Sequence, residues 1–542
     1  MKILLEGKNV NWDYFKKIIL YLITFVSILI VIEIWLTFSD VIFTKLLKLP
    51  IEKNSIHFLE WGWLIKNDPA IFHQWLLALV IPLIVTIVIL LSLKGQQKTL
   101  FGNAHWASYL DAKKSGLLAK EGIILGKKWG QYLKVSGFEH IFVFAPSGSG
   151  KSTSLVIPNL LNWNGSCVTL DVKMTLFQLT AKFRQKHGHQ CFLWNPGTRD
   201  GNTHAYNPLD WISSDKALRI DDLQKIANIL IPDNPKIDPI WVVQPRLLFV
   251  AITLYLLDSP GSAVSIGSII RLIKDQPDFA EWILTTVKER EDLDPLCIRN
   301  FNSFLQTEYK LQTNILQSFM SYFELFDNPL VDAATSHSDF DITQLRKKKM
   351  TIYVGITPDN LSRFSSLLSL FYQQVLDQLL RQIPDVKKEP HSVLMLLDEF
   401  GALKKMEVLQ KSIGLLREYR VRMMILIQDI HQLYDVYGAE GSKNFINNKI
   451  RIAFAQNDLE SARLISGWLG DKTVEHRTKN QTENFGSKHS ISHVKRELMK
   501  PEEIMKLSPR KAIVIAEGGA PLLINKNFWY QDPQLKIRIA SQ

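Results

Sequence analysis

The chain has 542 residues, a formal net charge of +11 and a pI near 9.2. Its three cysteines, Cys167, Cys191 and Cys297, lie far apart; this excludes a disulfide framework and a cysteine metal site and suits a reducing compartment. The length allows two or three domains with a large core. Excess lysine and arginine favours polyanionic partners, nucleic acid or an anionic membrane surface, although a membrane protein with basic cytoplasmic segments has the same sign.

Two apolar runs come first. Ile18 to Phe38 and Gln74 to Leu93 each approach the roughly 20 residues that cross a bilayer as a helix. Lys16 and Lys17 precede the first run, and Lys94 and Lys98 follow the second. Trp35, Trp61, Trp63 and Trp75 sit where interfacial rings settle. Glu33 within the first run is costly in lipid unless near the boundary or against a partner helix, and Pro82 in the second is tolerable in a packed helix. The first run is too long for a cleaved signal, and no small-x-small site follows it. The expectation is an N-terminal anchor over 1–98, with helices at about 18–38 and 74–93 joined by an external loop, 39–73.

A glycine-punctuated segment follows, Phe101-Gly102-Asn103-Ala104-His105-Trp106-Ala107 and then Gly122-Ile123-Ile124-Leu125-Gly126. The apolar run Ile141 to Phe144 reads as a buried strand. It leads into Ala145-Pro146-Ser147-Gly148-Ser149-Gly150-Lys151-Ser152-Thr153 and an apolar helical segment. This is the strand–loop–helix setting of a phosphate-binding P-loop, with Ala145 at the first glycine position of the pattern. Small residues let backbone N–H groups surround phosphate oxygens at a helix N-terminus. Lys151 would reach the β- and γ-phosphates of ATP, and the Ser152 hydroxyl would ligate Mg2+.

Cys167 to Lys173 reads as a second buried strand, whose polar end offers Asp171 and Lys173 either to a ligand or to each other. From about 212 to 335 apolar residues recur at helical spacing, which predicts an all-α insertion between a first part (99–211) and a second part (336–542) of the nucleotide-binding domain. In the second part Met350 to Ile356 is strand-like, and Leu361 to Ile383 reads as a long amphipathic helix. Val393 to Leu397 then ends in Asp398-Glu399, the pattern of a Walker B strand. Asp398 would hold Mg2+ through its water shell, and Glu399 would polarise the attacking water. A further strand, Met423 to Ile427, ends in Gln428, a candidate γ-phosphate sensor, with Arg417, Arg420 and Arg422 before it. Residues 472–497 read as a polar loop or hairpin tip; His476, His489 and His493 are either metal ligands or solvated loop histidines, and the latter is favoured because His489 and His493 lack supporting cysteine or carboxylate spacing.

The Gly-Asn-Ala-His-Trp-Ala and Gly-Ile-Ile-Leu-Gly stretches, the P-loop, Asp171-Val172-Lys173, Phe192-Leu193-Trp194-Asn195-Pro196, the Walker B strand and Arg496 to Ile504 stand in the order found in the VirD4/TraG family of type IV secretion coupling proteins, which the chain resembles. The family's Asp-x-Lys-Gly-Glu motif is altered here, with Met174-Thr175 in place of Gly-Glu. The resemblance implies a RecA-like P-loop α/β fold with an inserted all-α domain and a two-helix transmembrane anchor. It also implies a multi-pass protein of the bacterial inner membrane with the bulk of the chain cytoplasmic and loop 39–73 periplasmic. The implied assembly is a homo-hexamer with ATP sites between subunits, where one of the three arginines would act in trans. The implied activity is ATP-driven recruitment and transfer of relaxase-bound single-stranded DNA, effector proteins or both, together with inner-membrane and ATPase components of the secretion channel. A membrane-anchored double-stranded DNA translocase and a non-hydrolysing cargo receptor are the alternatives.

Overall fold

The computed structural model describes residues 32–46, 69–92, 100–480 and 488–540. The chain divides into two compact units, Met1–Lys98 and Thr99–Gln542. In the first, residues 32–46 and Pro69–Ser92 are helical, and Phe43 and Ala78 pack with Leu36, Ile42, Ile71, Trp75 and Leu79. The expected loop is therefore shorter than 39–73, because 39–46 and 69–73 belong to the helices. Most of the expected first span lies outside the described residues. Among those described, the helix long and apolar enough to cross a membrane is Ile240–Leu257, and 56% of it is buried within the protein. It is a core helix of the second unit.

That unit is built on one mixed sheet. Its strands in chain order are β1 Ile123–Lys128, β2 Gln131–Val135, β3 Ile141–Phe144, β4 Ser166–Asp171, β5 Gln190–Trp194, β6 Met350–Gly355, β7 Val393–Leu397, β8 Val421–Ile427, β9 Ile450–Ala453, β12 Lys511–Ala516 and β13 Leu522–Asn525, while β10 Asp471–Asn480 and β11 Lys488–Glu497 form a separate hairpin. The spatial order is β2-β1-β13-β12-β9-β3-β8-β7-β4-β6-β5. From β9 to β5 the strands are parallel, and β12, β13, β1 and β2 extend the sheet in antiparallel pairs.

Parallel strands covered on both faces need continuous apolar runs, and β3, β6, β7 and β8 are buried at every position. Alternation along β3 sorts its side chains. Ile141 and Val143 join Leu155, Ile157 and Leu160 of the P-loop helix on one face, whereas Phe142 and Phe144 join the large cluster on the other. The described elements between 212 and 335 are all helical, and helices such as Lys216–Leu230 and Ile240–Leu257 share that large cluster with the sheet. The insertion thus shares its core with the sheet. This corrects one expectation: the helix Ser365–Leu380 is buried on nearly all sides, because inserted helices cover the face that amphipathy would leave in water. Its Gln374 is satisfied there, accepting from Tyr206 Oη at 2.8 Å and donating to the Pro208 carbonyl at 2.7 Å.

The β10/β11 hairpin is tied to the Gly102 segment. Ala104 N–H donates to the Asp471 carbonyl at 3.0 Å, and Thr473 N–H to the Gly102 carbonyl at 3.1 Å. A Cβ on Gly102 would lie 2.3 Å from the Asp471 carbonyl oxygen, so this close backbone approach requires glycine.

Candidate nucleotide site

Parallel order brings the C-terminal ends of β3, β4, β7 and β8 to one edge of the sheet, which is where ligands gather in open α/β sheets. The P-loop leaves β3 at that edge. Gly148 (φ +73) and Gly150 (φ +82) adopt left-handed conformations, whereas Ala145 does not, so alanine at the first position costs the loop nothing. Ala145 N–H instead continues the sheet, donating to the Ile427 carbonyl at 2.9 Å. Ser152–Val156 forms a wide π-helical turn before Ile157–Leu160; Pro158 gives no N–H to the ladder there.

Lys151 crosses to the end of β7. Its Nζ donates to Glu399 Oε1 at 2.7 Å and to the Asp398 carbonyl at 3.0 Å, and lies 3.8 Å from Asp398 Oδ1. Ser152 Oγ donates to Asp398 Oδ2 at 2.7 Å. Gln428, at the end of β8, places Nε2 3.2 Å from each Glu399 carboxylate oxygen. Its own N–H donates to Gln432 Oε1 at 3.0 Å. Burial raises the Asp398 carboxyl above the ordinary carboxylate range, against the opposing pull of Lys151 and Ser152. Its Oδ1 is buried and without a hydrogen-bond partner. A cation beside Ser152 Oγ would satisfy that oxygen and favour the ionised form, so the donor set fits Mg2+: hard oxygen ligands from a hydroxyl and a carboxylate.

At the end of β4, Asp171 is buried and accepts the Phe177 N–H at 2.9 Å. Burial raises its pKa, and Asp398 adds to the shift. Asp171 caps a helix start, and no ion pair joins it to exposed Lys173 among the described residues. Met174 takes φ +59, a conformation that glycine in the family motif adopts freely.

A family model described as "Type IV secretory system Conjugative DNA transfer" matches residues 105–542. The chain belongs to this family. It is 32% identical over 466 residues to protein VirD4 of Rhizobium radiobacter, covering 83% of this chain and 66% of that relative. It is 27% identical over 501 residues to conjugal transfer protein TraG of Escherichia coli, covering 81% and 78%. The chain thus spans a little less than two thirds of the length of its VirD4 relative. The structure of plasmid coupling protein TrwB in complex with ADP and Mg2+ superposes with a TM-score of 0.55 at 17% identity, over 80% of this chain and 96% of TrwB. At that identity the likeness shows the fold: a coupling-protein α/β core.

In this member of the family Arg417 and Arg420 before β8 and Arg422 at its start stand at the opposite end of the strands from the P-loop. Arg422 is fully buried, donating to the carbonyls of Glu139 at 2.8 Å, Val135 at 3.1 Å and Gly137 at 3.0 Å. Arg417 pairs with Glu139 at 2.9 Å, and Arg420 bonds to the Glu389 and Pro390 carbonyls. One of the three is expected to act in trans; in Arg422, Nε and Nη1 close backbone ends and Nη2 is left over. His476, His489 and His493 lie on the hairpin opposite Ser492, Lys479 and Glu475, and no cluster of metal-ligating side chains occurs among the described residues.

Two groups at the site escaped sequence reasoning. Gln456, fully buried beyond β9, donates to the Phe144 and Phe454 carbonyls. Lys526 follows β13, whose C-terminal end shares the P-loop edge. Its Nζ donates to the Ser149 carbonyl at 2.9 Å and sits 3.5 Å from the centre of the Phe454 ring. Burial lowers its pKa to about 8. Since a trans peptide points C=O and N–H in opposite directions, a lysine holding the Ser149 carbonyl turns the Gly150 N–H the other way. The signal was present, an apolar run Leu522 to Ile524 ending in polar residues.

Proposed function

We propose that the protein is an ATP-driven coupling protein, which recruits relaxase-bound single-stranded DNA, effector proteins or both to a type IV secretion channel and energises their transfer across the inner membrane. The observation that carries the reading is the convergence of Lys151, Ser152, Asp398, Glu399 and Gln428 at the ends of β3, β7 and β8, each within 3.2 Å of a neighbour in the set. Family membership over 105–542 supports the cargo.

Bound Mg-ATP would supply the γ-phosphoryl group and neutralise charge on its oxygens. The residues of this chain divide the remaining work. The backbone of Ala145 to Thr153 cradles phosphate oxygens, with Gly148 and Gly150 supplying the tight curvature. Ser152 Oγ and the Asp398 carboxylate would hold the cation. Lys151 turns from Glu399 to phosphate, which frees a Glu399 oxygen to accept a proton from water, while Gln428 Nε2 keeps that carboxylate oriented. Exchange of the Lys151–Glu399 pair is thus the local event that reports nucleotide to β7 and β8, and through them to a neighbouring subunit of a homo-hexamer. The membrane anchor over 1–98, the inner-membrane location and the domain limits at 211 and 335 belong to the same proposal.

The test scores DNA transfer and protein transfer separately in cells carrying the wild-type chain or Lys151→Ala. Loss of either or both, at unchanged membrane insertion, supports the motor and identifies its cargo. Unchanged transfer of both overturns it in favour of a receptor that merely recruits.

A further inference from the structure

At the edge of the sheet opposite the P-loop lies a cavity of about 680 Å3, well within the range of small-molecule sites. Its walls come from the segments that enter the strands: Phe138 before β3, Gly165 before β4, His189 before β5, Ser392 before β7 and Arg422 of β8. The ends of two helices add Trp163 and Arg184, and the C-terminal helix Pro533–Ala540 adds Arg538.

Its charge is one-sided. Lys134, Arg184, Arg422 and Arg538 line it against a single carboxylate, Glu121. Two helix C-termini, near Leu160 and Lys186, each bring roughly −0.5 charge, and a net positive field of about two charges remains. Arg184 is almost wholly buried and spends its donors on Thr351, on the Leu160, Trp163 and Gly165 carbonyls and on His189. Arg422 differs. It is fully buried, three of its bonds go to carbonyls, and its Nη2 has no partner. A buried guanidinium is costly, and burial lowers the Arg422 pKa to about 10 against the opposing charge of Glu139. Lys134 is lowered too, by burial and then by the charge of Arg538. Beside these cations stand the rings of Phe138 and Trp163, which offer flat faces for stacking.

We propose that this cavity is a second nucleotide site: Lys134 and Arg538, whose Nη1 already holds the Leu161 carbonyl at 2.8 Å, take a phosphate group at the rim, buried Arg422 adds its charge from behind, and the Phe138 and Trp163 rings take a planar base. The ligand is one nucleotide unit, free or as a residue of a strand. The proposal is independent of hydrolysis at the P-loop, and no residue of the two sites is shared.

The test uses the full chain carrying Lys151→Ala, so that binding at the P-loop is suppressed, and measures equilibrium dialysis of labelled AMP with inorganic pyrophosphate as competitor. The expected result is about one AMP per chain, displaced by pyrophosphate and weakened at least tenfold by Lys134→Gln with Arg538→Gln, two rim changes that leave buried Arg422 in place. Crosslinking with azido-AMP is expected to label the peptides around Phe138 and Trp163. A thymidine oligonucleotide that displaces AMP assigns the unit to a strand, and one that does not assigns it to free nucleotide. The proposal is overturned by absence of AMP binding, by binding indifferent to the two rim changes at an unchanged melting temperature, or by a label confined to residues 145–153. A wild-type chain that binds AMP here yet fails to bind ATP elsewhere would refute the P-loop reading alone.

Discussion

The two ends of the parallel strands are made of the same residue types put to opposite uses. At the C-terminal end, Lys151, Asp398 and Glu399 are bonded mainly to one another, and Asp398 Oδ1 is left without a hydrogen-bond partner. At the N-terminal end, Arg184 and Arg422 bond mainly to backbone carbonyls that the sheet and helix ends leave over. Side chains that pair with each other can exchange partners when a ligand arrives. Those that close backbone ends cannot leave without exposing buried carbonyls. One end is therefore built to change state and the other to hold position.

Variants should separate the two. Glu399→Gln is expected to lower ATP hydrolysis by roughly 10²–10⁴-fold, with nucleotide binding retained and the melting temperature within a few degrees of wild type; steady-state hydrolysis and filter binding decide this. A hydrolysis rate near wild type would move the base elsewhere. Gln428→Ala, which frees the Glu399 carboxylate to rotate, is expected to cost roughly 10- to 100-fold in kcat with a smaller change in KM.

The rear end should show the reverse pattern. Arg422→Met orphans three carbonyls and is expected to destabilise by about 3–5 kcal/mol, read as a lower denaturation midpoint in chains that still bind nucleotide. His140 gives the same end a pH signature. Its Nε2–H donates to the Ile413 carbonyl at 2.7 Å and its Nδ1 accepts the Met423 N–H at 3.1 Å, joining the start of β3 to β8. Burial lowers its pKa from 6.5 to about 4. The unfolded chain binds more protons than the folded one between those values, so the His140 contribution is fully present above pH 6.5 and is lost as pH falls toward 4. Thermal melts across that window should fall less steeply in His140→Gln.

The smallest effect is expected at Met174. Glycine there removes the left-handed strain and is expected to stabilise by up to about 1 kcal/mol. A destabilised Met174→Gly chain would mean that the Met174 thioether packed beside Gly355 outweighs the strain.

The front end was legible because strand-end chemistry is local. An apolar run followed by Gly-Lys-Ser, by Asp-Glu or by Gln is written within ten residues, and all three sit where parallel pairing places them. What failed to show was whatever depended on distant neighbours. Arg422 follows Val421 directly at the start of an apolar strand, and only the approach of Val135 to Glu139 makes it a clamp. Helix Ser365–Leu380 looked amphipathic because the helices covering it lie more than a hundred residues upstream. Lys526 carried the same strand-end signal as Gln428 but sat beyond the motifs that drew attention.

Interleaving of the sheet has a consequence for synthesis of the chain. β3 pairs on both sides with strands that come much later, Ile141 lying between Met424 and Ile450. A strand with four fully apolar residues therefore emerges from the ribosome and waits for about 300 more residues, roughly 15–60 s at translation rates of 5–20 residues per second. Nucleotide cannot shorten that wait, because the acids of β7 and the glutamine of β8 are made during it. Chains interrupted before β9 are expected to present an unpaired hydrophobic strand, and to depend on chaperones in proportion to that delay.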